Sequence, residues 1–293
     1  MKVAIYGQQY PQEAGSNIME LLHELEKNQV QIAVERSFLE TLQNQENCKE
    51  YAIFTHKEGL DPSFDLFISI GGDGTILRAV TYIGKLGIPV VGVNTGRLGF
   101  LSIIKKNEVK DLVQDFISGN YSIVERSLVQ LRTEGELLEF DGRYYALNEV
   151  TVSRKDTTSM ITVETHLNGE YLTSYWSDGL IIATPTGSTG YSLSCGGPVL
   201  MPTVKSLVIT PIAPHNLNAR PLVISDDTEI RLKVSGREDF HLVSLDSRVA
   251  TLKHGQEIII TKADFVIKMV AFPKGSFFKT IRKKLLWGQD RRN

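Results

Sequence analysis

Cysteine is scarce. The 293-residue sequence holds two, Cys48 and Cys195, far apart and without metal-ligand spacing. That excludes a disulfide framework or a zinc site built mainly from cysteine, and it fits a reduced, cytoplasmic setting. The six histidines show no His-x-x-x-His or other metal spacing, so His215 and His254 read as polar surface or loop residues and no metal-ligand set is expected. A dominant charge is also missing. Lys and Arg number 32 against 34 Asp and Glu, a formal net charge of -2, which leaves no electrostatic footprint for nucleic acid or an anionic membrane. No apolar run is long enough to span a bilayer, and the first residues read as a strand rather than a signal peptide. Two enzyme signatures are absent as well. The segment Gly7-Gln8-Gln9-Tyr10-Pro11 after the first strand has no Gly-x-Gly-x-x-Gly, which weighs against dehydrogenase chemistry. The spacing of Gly187-Ser188-Thr189-Gly190 is not that of a Gly-x-Ser-x-Gly nucleophile elbow.

What is present is ordinary globular composition, 42% hydrophobic and 23% charged, arranged around the stretch 65–75. Leu66 to Ile70 is a short apolar run, read as a buried parallel strand. Gly71-Gly72-Asp73-Gly74-Thr75 follows, then Ile76, Leu77, Val80 and Ile83 at helical spacing. Strand, glycine loop and helix in that order suit a polyphosphate. Glycines let the backbone approach closely, successive N–H groups can form an anion nest, and a helix N-terminus adds its positive end. Asp73 would repel such a ligand unless its carboxylate has work to do, and beside a γ-phosphate it can accept the proton of an attacking hydroxyl. The simpler alternative is a glycine-rich turn with Asp73 as helix cap.

Around this stretch the N-terminal part alternates strand and helix. Strands are expected over 2–6, 31–35 and 87–94, and helices over 38–42 and 107–117. A further helix carries Ile18, Met19, Leu21, Leu22 and Leu25, with Ser16 as its cap. The 87–94 strand runs into a second glycine-punctuated loop, Thr95-Gly96-Arg97-Leu98-Gly99-Phe100, so in a parallel sheet both loops lie at the same carboxyl edge. From about Tyr121 short strands take over, at 127–132, 144–153, 161–167, 179–184, 204–210, 228–234 and 256–261. Asp141-Gly142, Asn168-Gly169, Asp178-Gly179 and His254-Gly255 separate them as turn signals. This texture predicts an α/β N-terminal domain over 1–125 and an all-β sandwich over 126–274. The segment 275–293, with Phe277, Ile281, Leu285 and Leu286 among Lys279, Arg282, Lys283 and Lys284, reads as an amphipathic helix that returns to the first domain, its basic residues a solvated face.

Three further places carry candidate chemistry. Asn148-Glu149 sets an amide that donates and accepts beside a carboxylate, a good pair for ribose hydroxyls and a base edge. Taken alone it reads more simply as an edge strand with Asn148 in a turn. Gly187 to Ser194 crowds hydroxyls and two glycines around Tyr191, on which a purine or nicotinamide ring could stack. Asp178 can accept from a sugar hydroxyl or an amide, or equally open an Asp-Gly turn.

Together these segments resemble the NAD kinase family. The likeness rests on Gly71-Gly72-Asp73-Gly74-Thr75, on Asn94-Thr95-Gly96-Arg97-Leu98-Gly99-Phe100-Leu101, on Asn148-Glu149 and on Asp178-Gly179. It rests above all on Thr184-Pro185-Thr186-Gly187-Ser188-Thr189-Gly190-Tyr191-Ser192-Leu193-Ser194. The first motif is shared with lipid kinases and phosphofructokinases; the later segment with Asn-Glu is more specific.

The resemblance implies a Rossmann-like, phosphofructokinase-like parallel sheet, a β domain and an active site between them. It implies ATP and NAD as substrates, with Mg²⁺ or another divalent metal. Asp73 would be the general base, with Gly71, Gly72, Gly74 and Thr75 as phosphate loop and Gly74 also against NAD. Arg78 would meet phosphate, or form a surface salt bridge. Asn148, Glu149 and Asp178 would hold NAD, Thr189, Gly190, Tyr191, Ser192, Leu193 and Ser194 would line its pocket, and Ala213 would touch it. Small-molecule nucleotides are the implied partners, with no nucleic acid or membrane, and a homodimer or homotetramer is the implied assembly. Two positions depart from the family pattern. Gly190 stands where alanine is usual, and Arg248 stands where glutamine is expected after Leu245-Asp246-Ser247, placed to reach a phosphate. A lipid or sugar kinase sharing the loop, or an NAD-sensing module without catalysis, are the other readings.

Overall fold

The computed structural model describes residues 1–8, 15–43, 49–96, 99–102, 104–105, 108–155, 159–273 and 276–287. It divides into two compact units, one of Met1–Glu125 with Ile267–Asn293 and one of Arg126–Val266.

The first unit opens β1 (Lys2–Gly7), α1 (Gly15–Lys27), β2 (Gln31–Glu35), α2 (Arg36–Gln43) and β3 (Ala52–Phe54). It continues β4 (Leu66–Ile70), α3 (Asp73–Ile83), β5 (Val90–Asn94), β6 (Ile104–Lys105) and α4 (Val109–Ile117). The order β5-β4-β1-β2-β3 is parallel throughout. The apolar strand runs are buried because helices cover both faces. On one face Ile18, Leu21, Leu22 and Leu25 of α1 and Val109, Leu112, Val113 and Phe116 of α4 form stripes at helical spacing. They share a core with Val3, Ile5, Ile68, Ile70, Val91 and Val93. On the other face Phe67 meets Phe54 and Tyr82 of α3. The chain steps outward from β1 to β3, then returns to lay β4 on the other side of β1. The β1/β4 junction is therefore the switch point at whose carboxyl edge open α/β sheets bind ligands.

Three details differ from the sequence reading. α1 opens at Gly15, so Ser16 lies inside its first turn and is not the cap. β3 has no sequence counterpart; its short Ala-Ile-Phe run shows no alternation. The helix expected over 107–117 is α4, and Asn107, like Cys48, lies outside the described residues.

The second unit holds most of β7 (Ser122–Thr133), then β8 (Tyr145–Ala146), β9 (Glu149–Arg154), β10 (Ile161–Leu167), β11 (Glu170–Ser177) and β12 (Gly179–Ala183). It goes on with a four-residue helix α5 (Tyr191–Ser194), β13 (Ser206–Ile212), β14 (Leu222–Ser225), β15 (Ile230–Ser235), β16 (Phe240–Leu245), β17 (Arg248–Lys253) and the first part of β18 (Glu257–Ala271). The last five residues of β18 and the helix α6 (Phe277–Leu285) belong to the first unit, where Met269 pairs with Val90. One sheet of the second unit orders β14-β13-β12-β9-β16-β17, and β11-β10-β15-β18 face it. Val150, Leu180, Ile209 and Val243 from the first meet Val163, Leu232 and Ile260 from the second in one core. The expected sandwich is present.

Asn168-Gly169 makes the expected two-residue hairpin, both residues at positive φ. Asp178-Gly179 is not a turn. Asp178 is the corner where the chain passes from β11 in one sheet to β12 in the other. Glycine follows because a Cβ at 179 would strike the Val152 carbonyl. The stretch expected as one strand over 144–153 breaks between β8 and β9, and the break falls at Leu147-Asn148.

Candidate active site

In the first unit the loop after β4 and the loop after β5 are hydrogen-bonded into one piece. Gly71 donates to the Val93 carbonyl at 2.9 Å, and the Ser102 hydroxyl donates to the Gly71 carbonyl at 2.9 Å. Asp73 is the first residue of α3, not its cap, which is Gly72 with no side-chain cap bond. Its carboxylate turns to the second loop. Oδ2 accepts the Phe100 N–H at 2.7 Å, and Oδ1 accepts those of Leu101 at 3.0 Å and Ser102 at 2.9 Å. Gly99 is needed for this seat, since a Cβ there would lie on Asp73 Oδ1. Asn94 ties the same loop from below, its Oδ1 accepting the Gly96 N–H at 2.8 Å.

The other side of the glycine loop is open. Among the described residues a Cβ at Gly72 or Gly74 would meet nothing within 4 Å, so none of them blocks close approach to the backbone N–H groups at the N-terminus of the 11-residue α3. Thr75 is buried, and its hydroxyl lies 3.5 Å from Gln8 Oε1, which links the loop to the end of β1. Arg78, one turn into α3, is exposed and lies near the Tyr6 phenol. Lys284 of α6 sits with Nζ 5.7 Å from the Phe100 ring centroid, so that helix is not only a solvated face.

In the second unit Asn148 and Glu149 enter β9 next to the 184–190 segment. Thr184 holds the two together: its N–H donates to the Asn148 carbonyl at 2.8 Å and its hydroxyl to the Leu147 carbonyl at 2.6 Å. Glu149 is only 9% exposed, and among the described residues its Oε2 and Asn148 Oδ1 have no hydrogen-bond partner. Gly190 faces them. A Cβ there would stand 3.2 Å from Glu149 Oε2 and 3.3 Å from Asn148 Nδ2, so alanine would fit tightly and glycine leaves a methyl-sized space. Burial, then the nearby Asp246, push the Glu149 carboxyl up to about 8.

Beyond Gly190 the candidate residues divide. Thr189 caps its own turn on the Thr186 carbonyl at 3.2 Å. Ser192 is fully buried with its hydroxyl 2.8 Å from that of Thr210. Leu193 is half-buried and Ser194 exposed. Tyr191 is 46% exposed, and burial of its phenol, then Cys195 and Asp178, raise its pKa. Asp178 pairs with Arg154 at 3.1 Å and donates its N–H to the Ile212 carbonyl at 3.0 Å. That bond sets it beside Ala213, which leaves β13 at positive φ. Asn148, Glu149 and Gly190 thus gather at one end of β12, and Asp178 and Ala213 at the other.

The comparisons match this architecture. The ATP-NAD kinase N-terminal domain matches residues 3–121, and the ATP-NAD kinase C-terminal domain matches 147–272. The NAD kinase of Flavobacterium johnsoniae is 55% identical over 294 residues, all of both chains, and that of Christiangramia forsetii is 54% identical over the same span. The chain belongs to the NAD kinase family. Members of that family are phosphotransferases with an alcohol acceptor. Among solved structures, the yeast NADH kinase complexed with NADH superposes with a TM-score of 0.86 at 26% identity, over 99% of this chain and 89% of that one. An Archaeoglobus fulgidus NAD kinase in complex with ATP shares the fold, with a TM-score of 0.74 at 24% identity over 98% and 99%.

As an NAD kinase family member the chain has two site features that no local motif announced. Asp246 and Ser102 are both polar and bonded to the backbone of a candidate binding segment, Ser102 fully buried and Asp246 half-buried with its carboxylate enclosed. Arg248 corrects an expectation. Its guanidinium donates to the carbonyls of Arg143 and Tyr145 and lies over the rings of Phe140 and Tyr145, so it braces β8 rather than reaching for phosphate. His254 likewise is no surface residue at its ring. Its nitrogens are buried, and the imidazole stacks on that of His241 with centroids 5.3 Å apart.

Proposed function

We propose that the chain transfers the γ-phosphoryl group of ATP to the 2′-hydroxyl of the adenosine ribose of NAD, giving NADP and ADP. The observation that carries the chemistry is the glycine loop on α3, open at Gly72 and Gly74 and holding one carboxylate. Gly71, Gly72, Gly74 and Thr75 bind phosphate through backbone N–H groups and the helix end, and Arg78 adds charge one turn away. Asp73 accepts the hydroxyl proton. Its Oδ1 already takes two N–H donors and its Oδ2 one, so Oδ2 keeps a lone pair for that hydroxyl. Asn148 and Glu149 bind NAD with their unpartnered atoms, and Asp178, Ala213 and the 189–194 segment with exposed Tyr191 supply the remaining contacts.

Mg²⁺ belongs to the proposal only as a companion of ATP. Among the described residues no three His, Cys, Asp or Glu side chains group to hold an ion, and no step here runs through it. A homodimer or homotetramer and a cytoplasmic setting are part of the same proposal, the latter resting on cysteine usage. No helix among the described residues is long and apolar enough to cross a membrane.

The test is incubation with ATP, Mg²⁺ and NAD, reading NADP with an NADP-specific dehydrogenase. Asp73→Asn is expected to lower kcat by about 10²–10⁴-fold while NAD still binds. Near-normal turnover in that variant would remove Asp73 from the role of base, and absence of NADP from the wild-type protein would remove the reaction.

A further inference from the structure

Asp246 lies in the two-residue turn between β16 and β17, since Leu245 pairs directly with Arg248. It holds a φ of 53°, the conformation such a turn requires. From there its carboxylate reaches the entry to β9. Oδ2 accepts the Leu147 N–H at 3.0 Å, and Oδ1 accepts those of Asn148 at 2.8 Å and Glu149 at 3.2 Å. Three consecutive amides are thus fixed by one buried side chain. The Asp246 N–H in turn donates to the Glu149 carbonyl at 3.0 Å, which closes the contact from both sides.

This contact places two carboxyl groups together in a buried spot. They do not share it equally. Asp246 receives three N–H donors and lies near the Arg248 guanidinium, all of which favour its charged form. Glu149 receives no donor at Oε2 and has no cation beside it. Of the segments packed on Glu149, β12 and the 184–190 loop bring no ionisable side chain. The turn after β16 brings Asp246 and the start of β17 brings Arg248, and Tyr191 beyond the loop interacts with Cys195 and Asp178 instead. Burial raises the proton affinity of both carboxyls, and the donors decide which holds the proton. That is Glu149, whose carboxyl is pushed up to about 8.

We propose that Asp246 is a positioning residue of the dinucleotide site: it sets the backbone of Leu147-Asn148-Glu149 and makes Glu149 meet its ligand as a neutral carboxyl group that donates a hydrogen bond. The sequence reading of Glu149 as an acceptor-only carboxylate is thereby reversed. A protonated carboxyl offers one O–H donor and keeps acceptor capacity, so with the Asn148 amide it presents a donor and an acceptor on each side chain. The methyl-sized space at Gly190 leaves the ligand's polar atom room to approach both. That the ligand is NAD rests on the proposed function; that Glu149 is neutral does not.

The experiment separates the two. The Glu149 side-chain carboxyl is observed in ¹³C-glutamate-labelled free protein, its resonance assigned by loss in Glu149→Gln, and titrated between pH 4 and pH 9. A midpoint above neutrality is expected, and Asp246→Asn is expected to move it to lower pH; Asp246→Ser does the same should the amide not fold. A Glu149 midpoint in the ordinary carboxylate range, or one that neither Asp246 variant moves, overturns the inference. Calorimetry then adds NAD. Wild-type affinity should fall about tenfold between pH 7 and pH 9, Glu149→Gln should abolish that fall whatever its affinity at pH 7, and Asp246→Asn should weaken binding already at pH 7. The same fall persisting in Glu149→Gln would trace it to another group and overturn the inference. NAD that fails to bind the wild-type protein, with the high midpoint intact, would overturn the substrate reading and leave Glu149 neutral.

Discussion

Gly99 shows how a residue without a side chain can govern one that has the chemistry. Its Cα faces Asp73 Oδ1 at a distance no methyl can share. Gly99→Ala must therefore either push the Asp73 carboxylate out of its three N–H bonds or shift the 99–102 backbone. Overpacking of this kind costs about 1–3 kcal/mol. Turnover should fall further than stability, because the displaced group is the proposed base. Melting temperature and NADP formation measured side by side check this, and a variant with normal turnover would show that the seat of Asp73 does not matter to catalysis. Gly99 and Asp73 were both visible in the sequence, each within a glycine loop at the end of a predicted strand. Their contact was not, because local pattern says nothing of which way a side chain turns. Ser102 and Asp246 were invisible as site residues for a stronger reason. Asp246 acts on Leu147 across 99 positions of sequence, and a buried aspartate in a tight turn looks locally like any turn residue.

Among the elements, the buried parallel strands and amphipathic helices were legible, since unbroken apolar runs and stripes at 3.6 spacing survive any tertiary context. Besides the two-residue β6, the strands that escaped notice are at edges or in hairpins: β3, β11, β14 and the β16–β17 pair. Half-exposed strands carry polar residues that blur the alternation; β11 shows its Tyr171, Leu172 and Trp176 to solvent. The β16–β17 hairpin also hides a titratable element. His241 is fully buried on β16, stacked on His254, and all four ring nitrogens lack hydrogen-bond partners among the described residues. Burial, then His254, push the His241 imidazole down to about 4 from its ordinary 6.5. A base with a depressed folded value is neutral in the fold and charged when unfolded. Its contribution to stability is therefore complete above pH 6.5 and is lost as pH falls toward 4, by up to about 3 kcal/mol. Denaturant melts of the wild type and His241→Leu at pH 7 and pH 4.5 should show the wild type losing the larger share on acidification. Equal losses would mean that His241 keeps an ordinary proton affinity.

At the scale of the whole molecule, the two units divide the work in a way that their stabilities should reveal. The first unit settles the charge of Asp73 with backbone donors. The second leaves Glu149 and Asn148 unpartnered beside a buried anion, a cost that a bound ligand can offset. Sites held ready for a ligand are commonly stabilised when their polar groups are removed. For Glu149 the sign follows from its raised carboxyl. An acid neutral in the fold but ionised when unfolded contributes fully below its ordinary value near 4.5, and the contribution is lost as pH rises through about 8. Glu149→Gln removes that ionisation. The variant should therefore be more stable than the wild type at pH 8, by up to about 5 kcal/mol, with the gain shrinking toward pH 5. Saturating NAD should stabilise both proteins by mass action, because it binds only the native state, and should leave the difference at pH 8 in place. Calorimetric melts across pH 5–8, with and without NAD, decide it. A Glu149→Gln protein no more stable than the wild type at pH 8 would mean that the carboxyl is comfortable where it sits, and that the second unit holds no strain for its ligand to relieve.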